Sequence, residues 1–140
     1  LGEHGDSSIV AWTSATIGAI TLNDFCKQTK TPMTQNTRAT IERRVQTAAY
    51  EIIRGRGATW DGIAGAVADL IRSIINDENR ILTVSTVDGI GKKAVAVSMP
   101  RIVGNAGAKR TLVPQMDKNE SAGLRRSSAI VRKSFDLIGK

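Results

Sequence analysis

One histidine stands in this sequence of 140 residues, and its neighbours set it apart. In Leu1-Gly2-Glu3-His4-Gly5-Asp6-Ser7-Ser8, two acids and two glycines bracket His4. An imidazole titrates nearer neutrality than any other side chain, so His4 is the natural proton carrier of this chain. Gly2 and Gly5 keep space free beside the ring and permit backbone angles closed to other residues. The plain alternative is a solvated histidine near a chain end, and one short motif does not decide between the two. The single thiol, Cys26, cannot form an internal disulfide, which agrees with a reducing compartment. No metal site is expected.

The elements that must position His4 follow it in the chain. Residues 9 to 22 carry no charge and are rich in β-branched side chains, which favours a buried strand or a pair of short strands, with a helix still open. Residues 23 to 35 are polar, contain Pro32, and predict a loop or short helical turn. From about Asn36 to Arg54, Ile41, Val45, Ala48, Ala49, Ile52 and Ile53 share one helical face, and Gly55 and Gly57 end the helix. A second helix begins at Thr59 as its N-cap, with Asp61 in the first turn and a stripe of Ile63, Val67, Leu70, Ile71, Ile74 and Ile75. Its first half, Gly62 to Ala68, is small on nearly every side. That pattern suits close helix packing or the approach of a ligand or another domain.

Asp77-Glu78-Asn79 breaks this helix. Residues 81 to 87 read as a strand and Asp88-Gly89 as a turn. Residues 94 to 99 alternate, with Val95, Val97 and Met99 on one side and Ala94, Ala96 and Ser98 on the other, until Pro100 suggests an edge or the end of pairing. Asn105-Ala106-Gly107 turns the chain into a short third strand, Thr111-Leu112-Val113. Short turns imply an antiparallel meander. Asp117 and Glu120 have capping-box spacing at the head of a last helix. There Leu124, Ser128, Val131, Phe135 and Ile138 form one buried stripe, with Arg125, Arg126, Arg132, Lys133 and Lys140 mostly off it. The fold class is α+β, with antiparallel strands packed against long helices in a single domain over residues 1 to 140.

Composition bounds the function. At 41% hydrophobic and 24% charged residues, the chain fits a soluble globular domain with a real core. No apolar run is long enough to span a membrane and no signal peptide opens the chain, so no membrane partner is expected. The chain begins with leucine in mid-motif and reads as a fragment or processed piece of a longer protein. The net charge of +7 is uneven: −3 over residues 1 to 26, +5 over 27 to 56, balanced over 57 to 108, and +5 over 109 to 140. A basic chain invites a polyanion-binding reading. Here the bases are scattered among acids on helix faces, and aromatics are only 4% with none interleaved, so solvated faces are the better reading and no nucleic-acid partner is expected.

With the whole order of features in view, the chain resembles the L-lactate/malate dehydrogenase family. Gly2-Glu3-His4-Gly5-Asp6-Ser7 looks like its active-site signature, followed by an uncharged run with Trp12. Tyr50-Glu51-Ile52-Ile53, Arg56-Gly57-Ala58-Thr59 and Gly62-Ile63-Ala64 resemble its central double helix. Ile81 to Thr86 and Met99-Pro100-Arg101-Ile102-Val103-Gly104 resemble its following strands, and the last amphipathic helix closes the match. The resemblance covers the C-terminal half of the family alone, so an N-terminal Rossmann domain that binds NAD is expected upstream of this chain.

The resemblance implies that His4 gives a proton to, or takes one from, a 2-oxo or 2-hydroxy acid while a hydride moves to or from NAD. It further implies that Thr59 lines the substrate pocket and that Ile63 packs beside the nicotinamide. Ala58-Thr59 and Ile63-Ala64 look more like bacterial L-lactate than malate dehydrogenases, with malate or another 2-hydroxy acid as the alternative substrate. The orienting aspartate and carboxylate-clamping arginine of the family would lie upstream, so this chain alone is expected to be inactive. A cytoplasmic homo-oligomer, dimer or tetramer, pairing partly through the helix from Asn36 to Arg54, is also implied.

Overall fold

The computed structural model describes residues 1–88 and 95–138. A 3-10 turn, Trp12–Ser14, leads into a two-stranded hairpin of β1 (Thr16–Ile17) and β2 (Ile20–Thr21). Three helices follow: α1 (Leu22–Thr29), α2 (Gln35–Arg56) and α3 (Trp60–Ile75). Then come β3 (Arg80–Asp88), β4 (Val95–Gly104) and β5 (Gly107–Thr111), an antiparallel sheet with β4 in the centre, and finally α4 (Lys118–Ile138). The α+β expectation holds. No helix among the described residues is long and apolar enough to cross a membrane. The turn expected at Asp88-Gly89, Ala94 and Lys140 lie outside the described residues, as does the Ile138 side chain.

The core sits between β4 and α4. Val95, Val97 and Met99 are buried on one face of β4, as the alternation predicts, and Val103 continues that face. Leu124 of α4 packs with Val97 and Met99, and Leu1, Ile9 and Met116 close the cluster. The capping box of α4 forms as expected. Asp117 N–H donates to Glu120 Oε2 and Glu120 N–H donates to Asp117 Oδ1, both at 2.8 Å. Glu120 Oε1 also accepts Thr13 N–H at 2.8 Å, so this cap ties the 3-10 turn to α4.

Several expectations are corrected. Residues 9 to 22 do form a pair of short strands, but β1 and β2 are exposed: each is two residues long and pairs only with the other, so no sheet covers them. Only Leu22, at the start of α1, is buried there. Of the loop or short helical turn expected over residues 23 to 35, the helical alternative holds for 23 to 29, as part of the eight-residue α1. The Thr21 hydroxyl accepts Asp24 N–H at 3.2 Å and donates to Asp24 Oδ2 at 2.8 Å, capping α1.

Pro100 does not end the pairing of β4. It lies opposite Thr83 in the middle of the central strand. An extended residue points its N and C=O to the same edge, and Pro100 C=O accepts Leu112 N–H at 2.8 Å on the β5 side. The ring nitrogen therefore faces that same edge, beside Leu112 just past the end of β5, away from the β3 pairing. The third strand is Gly107–Thr111, earlier than Thr111 to Val113, because Gly107 at φ +78 turns the chain at once and Val113 lies exposed. On α4 the buried stripe holds at Leu124 and Ser128 but fails at Phe135, which is exposed past the end of the sheet contact.

Candidate active site

His4 sits on a short loop held at both ends by backbone hydrogen bonds. Leu1 N donates to Ile9 O at 2.8 Å, and Ile9 N donates to Leu1 O at 2.9 Å. Gly2 forms an antiparallel bridge with Ser98 of β4: Gly2 N donates to Ser98 O at 2.9 Å and Ser98 N to Gly2 O at 2.7 Å. Gly2 thus takes over the β4 edge where β5 stops. Its φ of +93 and the approach of α4 both require glycine, since a Cβ there would stand 2.5 Å from Ser127 Oγ. Ser8 N donates to Gly5 O at 3.1 Å and closes the turn beyond His4. The imidazole itself is exposed, and no hydrogen bond to it is found among the described residues.

The ring borders a cleft of about 700 Å³ between the loop and the α2–α3 hairpin. Val45, Ala48, Ala49 and Ile52 of α2 line it, with Thr59, Ile63 and Ala66 from the α3 side. The structure therefore brings His4, Thr59 and Ile63 to one cavity although the helices begin some thirty or more residues downstream of the loop. Gly57, at φ +81, ends α2 in the left-handed conformation and lets α3 start three residues later. Gly55 lies inside α2 and is not part of that stop. Thr59 occupies the N-cap position, but its side chain makes no capping hydrogen bond, contrary to expectation. A Cβ on Gly62 or Gly65 would meet nothing within 4 Å, so the small-residue end of α3 faces open space.

The charged groups at this cleft are few. Arg56 Nη1 pairs with Asp61 Oδ2 at 2.7 Å, both well exposed, so the one arginine among the described lining residues is already engaged. Beside the loop, the Tyr50 hydroxyl donates to Asp6 Oδ1 at 3.2 Å. That bond and the charge of Asp6 hold the phenol above its ordinary pKa. On the other side of the loop, Trp12 Nε1 donates to Glu42 Oε1 at 2.6 Å and Gln46 Nε2 to Ser8 O at 3.3 Å, fixing α2 against the segment after His4. Arg38 lies over the Trp12 ring at 5.5 Å. Sequence reasoning missed Tyr50, Glu42 and Ser127 as partners of this loop. Each reaches it across a long stretch of chain, and no local spacing announces such a bond.

The domain thus carries a histidine loop bridged to its sheet and facing an apolar cleft, with no free cation among the described lining residues. Residues 1–139 match the lactate/malate dehydrogenase alpha/beta C-terminal domain, and the chain belongs to that family. Among curated proteins it is 40% identical over 141 residues to an L-lactate dehydrogenase of Thermus aquaticus, covering 99% of this chain and 46% of that protein. It is 40% identical over 134 residues to one of Allorhizobium ampelinum, covering 94% and 43%. A solved lactate dehydrogenase enzyme from a Medee basin deep-sea metagenome library superposes with a TM-score of 0.92 at 30% identity, covering 99% of this chain and 45% of that one. The chain spans about half the length of the curated relatives it matches.

Proposed function

We propose that this chain is the substrate-binding and catalytic half of an NAD-dependent L-lactate dehydrogenase, interconverting pyruvate and lactate. The observation that carries the reading is the cleft shared by His4, Thr59 and Ile63. The relatives named as L-lactate dehydrogenases favour lactate over malate. The N-terminal half, with a Rossmann domain for the cofactor, belongs to this proposal.

The residues present fit one end of the cofactor. The apolar wall of Ile63, Val45 and Ile52 suits the face of a flat heterocycle, and the open space before Gly62 and Gly65 admits it closely. When bound, NAD supplies or accepts the hydride at the substrate carbon. His4, in its imidazolium form, donates a ring proton to the carbonyl oxygen as that oxygen gains negative charge, and is left neutral. In the reverse direction neutral His4 takes the hydroxyl proton. Its charge state thus selects oxo acid or hydroxy acid. Thr59, with its hydroxyl unused in capping, bounds the substrate next to Ile63. A carboxylate-binding arginine and a carboxylate that orients His4 are assigned to the N-terminal half, so the chain alone is inactive. In the intact enzyme the active unit is a cytoplasmic homo-oligomer, dimer or tetramer, with α2 at a subunit contact.

In the intact enzyme, His4→Gln lowers turnover of pyruvate with NADH by roughly 10²–10⁴-fold with the melting temperature unchanged. Turnover close to wild type overturns the reading. A preference for oxaloacetate over pyruvate would move it to malate.

A further inference from the structure

The His4 loop has a second fastening, and it comes from the far end of the chain. Ser127 of α4 is fully buried, at 0% exposure. Its Oγ accepts Glu3 N–H at 2.7 Å, across 124 residues. The same Oγ stands 3.0 Å from Ser7 Oγ, and Ser7 donates its hydroxyl hydrogen to Glu3 Oε2. That leaves Ser127 as the donor to Ser7. The bonds therefore run head to tail: Glu3 N–H to Ser127, Ser127 to Ser7, Ser7 to the Glu3 carboxylate. Each hydroxyl donates once and accepts once, an arrangement in which the bonds reinforce one another. The carboxylate is folded back over Gly5, where a Cβ would lie 3.1 Å from Glu3 Cδ and 3.2 Å from Oε1.

His4 is the residue between Glu3 and Gly5, and its ring stays outside this closed circuit. With no side-chain bond of its own among the described residues, the imidazole takes its place from the backbone on either side. Gly2 is fixed by β4, and Glu3 by Ser127. We infer that Ser127 is a positioning residue for His4, acting through Ser7 and the Glu3 backbone to hold the imidazole at the mouth of the cleft. This rests on the reading that His4 carries the proton. Proton transfer falls steeply with small displacements, about 10²-fold for 1 Å, so the anchor has a large lever on rate.

Ser127→Ala in the intact enzyme removes one oxygen and leaves the packing nearly unchanged. The expected result is a loss in kcat of about 10- to 100-fold. The KM for the nicotinamide cofactor stays as in wild type. The solvent deuterium isotope effect on kcat rises, because transfer to or from a displaced ring becomes the slow step. A fall in kcat with an unchanged isotope effect marks a merely structural role and overturns the inference, as does a wild-type kcat. If Ser127→Ala does not fold, Ser7→Ala decides by the same criterion, with a smaller loss expected and an isotope effect that still rises. His4→Ala is measured alongside. If it leaves turnover intact, the proton-carrier reading itself has failed. If it abolishes turnover while the serine variants behave as wild type, only the positioning role has failed.

Discussion

The β4–α4 half of the domain and the α2–α3 hairpin are built on opposite terms. Val97 and Met99, at 1% and 2% exposure, pack with Leu124 in one buried cluster. In contrast, α2 runs for 22 residues without one buried side chain, and α3 buries only Ser73, whose hydroxyl points to Val103 O at 3.4 Å. The hairpin is not short of apolar residues: Val45, Ile52, Ile53, Ile63, Val67 and Ile71 are all exposed on it. One half is a closed core to which the histidine loop is hydrogen-bonded. The other is an apolar wall kept open, and the cleft exists because it is open.

Substitution tests sharpen that contrast. Leu124→Ala removes a side chain at 5% exposure and is expected to cost roughly 2–5 kcal/mol. Ile52→Ala, at 47% exposure, is expected to change stability by within about 0.5 kcal/mol. Both are read by denaturant unfolding of the purified protein. An equal loss at the two positions would show that the α2 face is covered after all.

A smaller effect comes from the link between the halves. Asp117→Ala removes one arm of the α4 cap and is expected to cost about 1 kcal/mol. It leaves Glu120 N–H without its Asp117 acceptor, while the Glu120 carboxylate keeps the backbone N–H of residue 117 and Thr13 N–H. Burial works against the Glu120 carboxylate, but donation from Thr13 and Asp117 outweighs it and keeps its pKa below the ordinary range. A melt of this variant indistinguishable from wild type would mean that the Asp117 side chain contributes nothing to the α4 cap.

The smallest effect is acid dependence at the turn between α3 and β3. Asp77 accepts Asn105 N–H and Lys109 Nζ, both at 2.9 Å, and these partners lower its pKa against a modest desolvation. A carboxylate whose folded pKa is depressed adds stability above its unfolded value and loses it as pH falls through the folded one. The contribution is therefore present at neutral pH and fades below about pH 4. Asp77→Asn should flatten that part of the melting-temperature-against-pH curve. A curve parallel to wild type between pH 5 and about pH 3 would contradict it.

Local signals were legible in the sequence, and long-range ones were not. The Asp117/Glu120 box could be read because both partners lie within one turn. So could the inward alternation of Val95, Val97 and Met99, because a strand fixes which side chains share a face. The α1 helix carried a similar mark in Thr21 and Asp24, three apart like a capping pair, but polar residues after it hid the helix. Pro100 misled because its cost depends on which edge of β4 is left unpaired, and that is set by Gly2 and by the end of β5. The stripe through Phe135 misled because periodicity says which residues share a face and not how far the sheet beneath extends. His4 itself was conspicuous. Ser127 was not, since a buried serine in a helix looks like any other until the loop it serves is folded over it.

The two anchors of the His4 loop have a consequence for how the molecule comes together. One joins Gly2 to Ser98, and the other joins Glu3 to Ser127 across 124 residues. Contacts between such distant points close a very large loop of chain, an entropic cost that the local helices and the β3–β4 hairpin do not carry. The loop that presents the histidine therefore keeps its native place only while the sheet and the final helix are both in place to hold it. A mispaired or nicked chain retains the imidazole but loses its address.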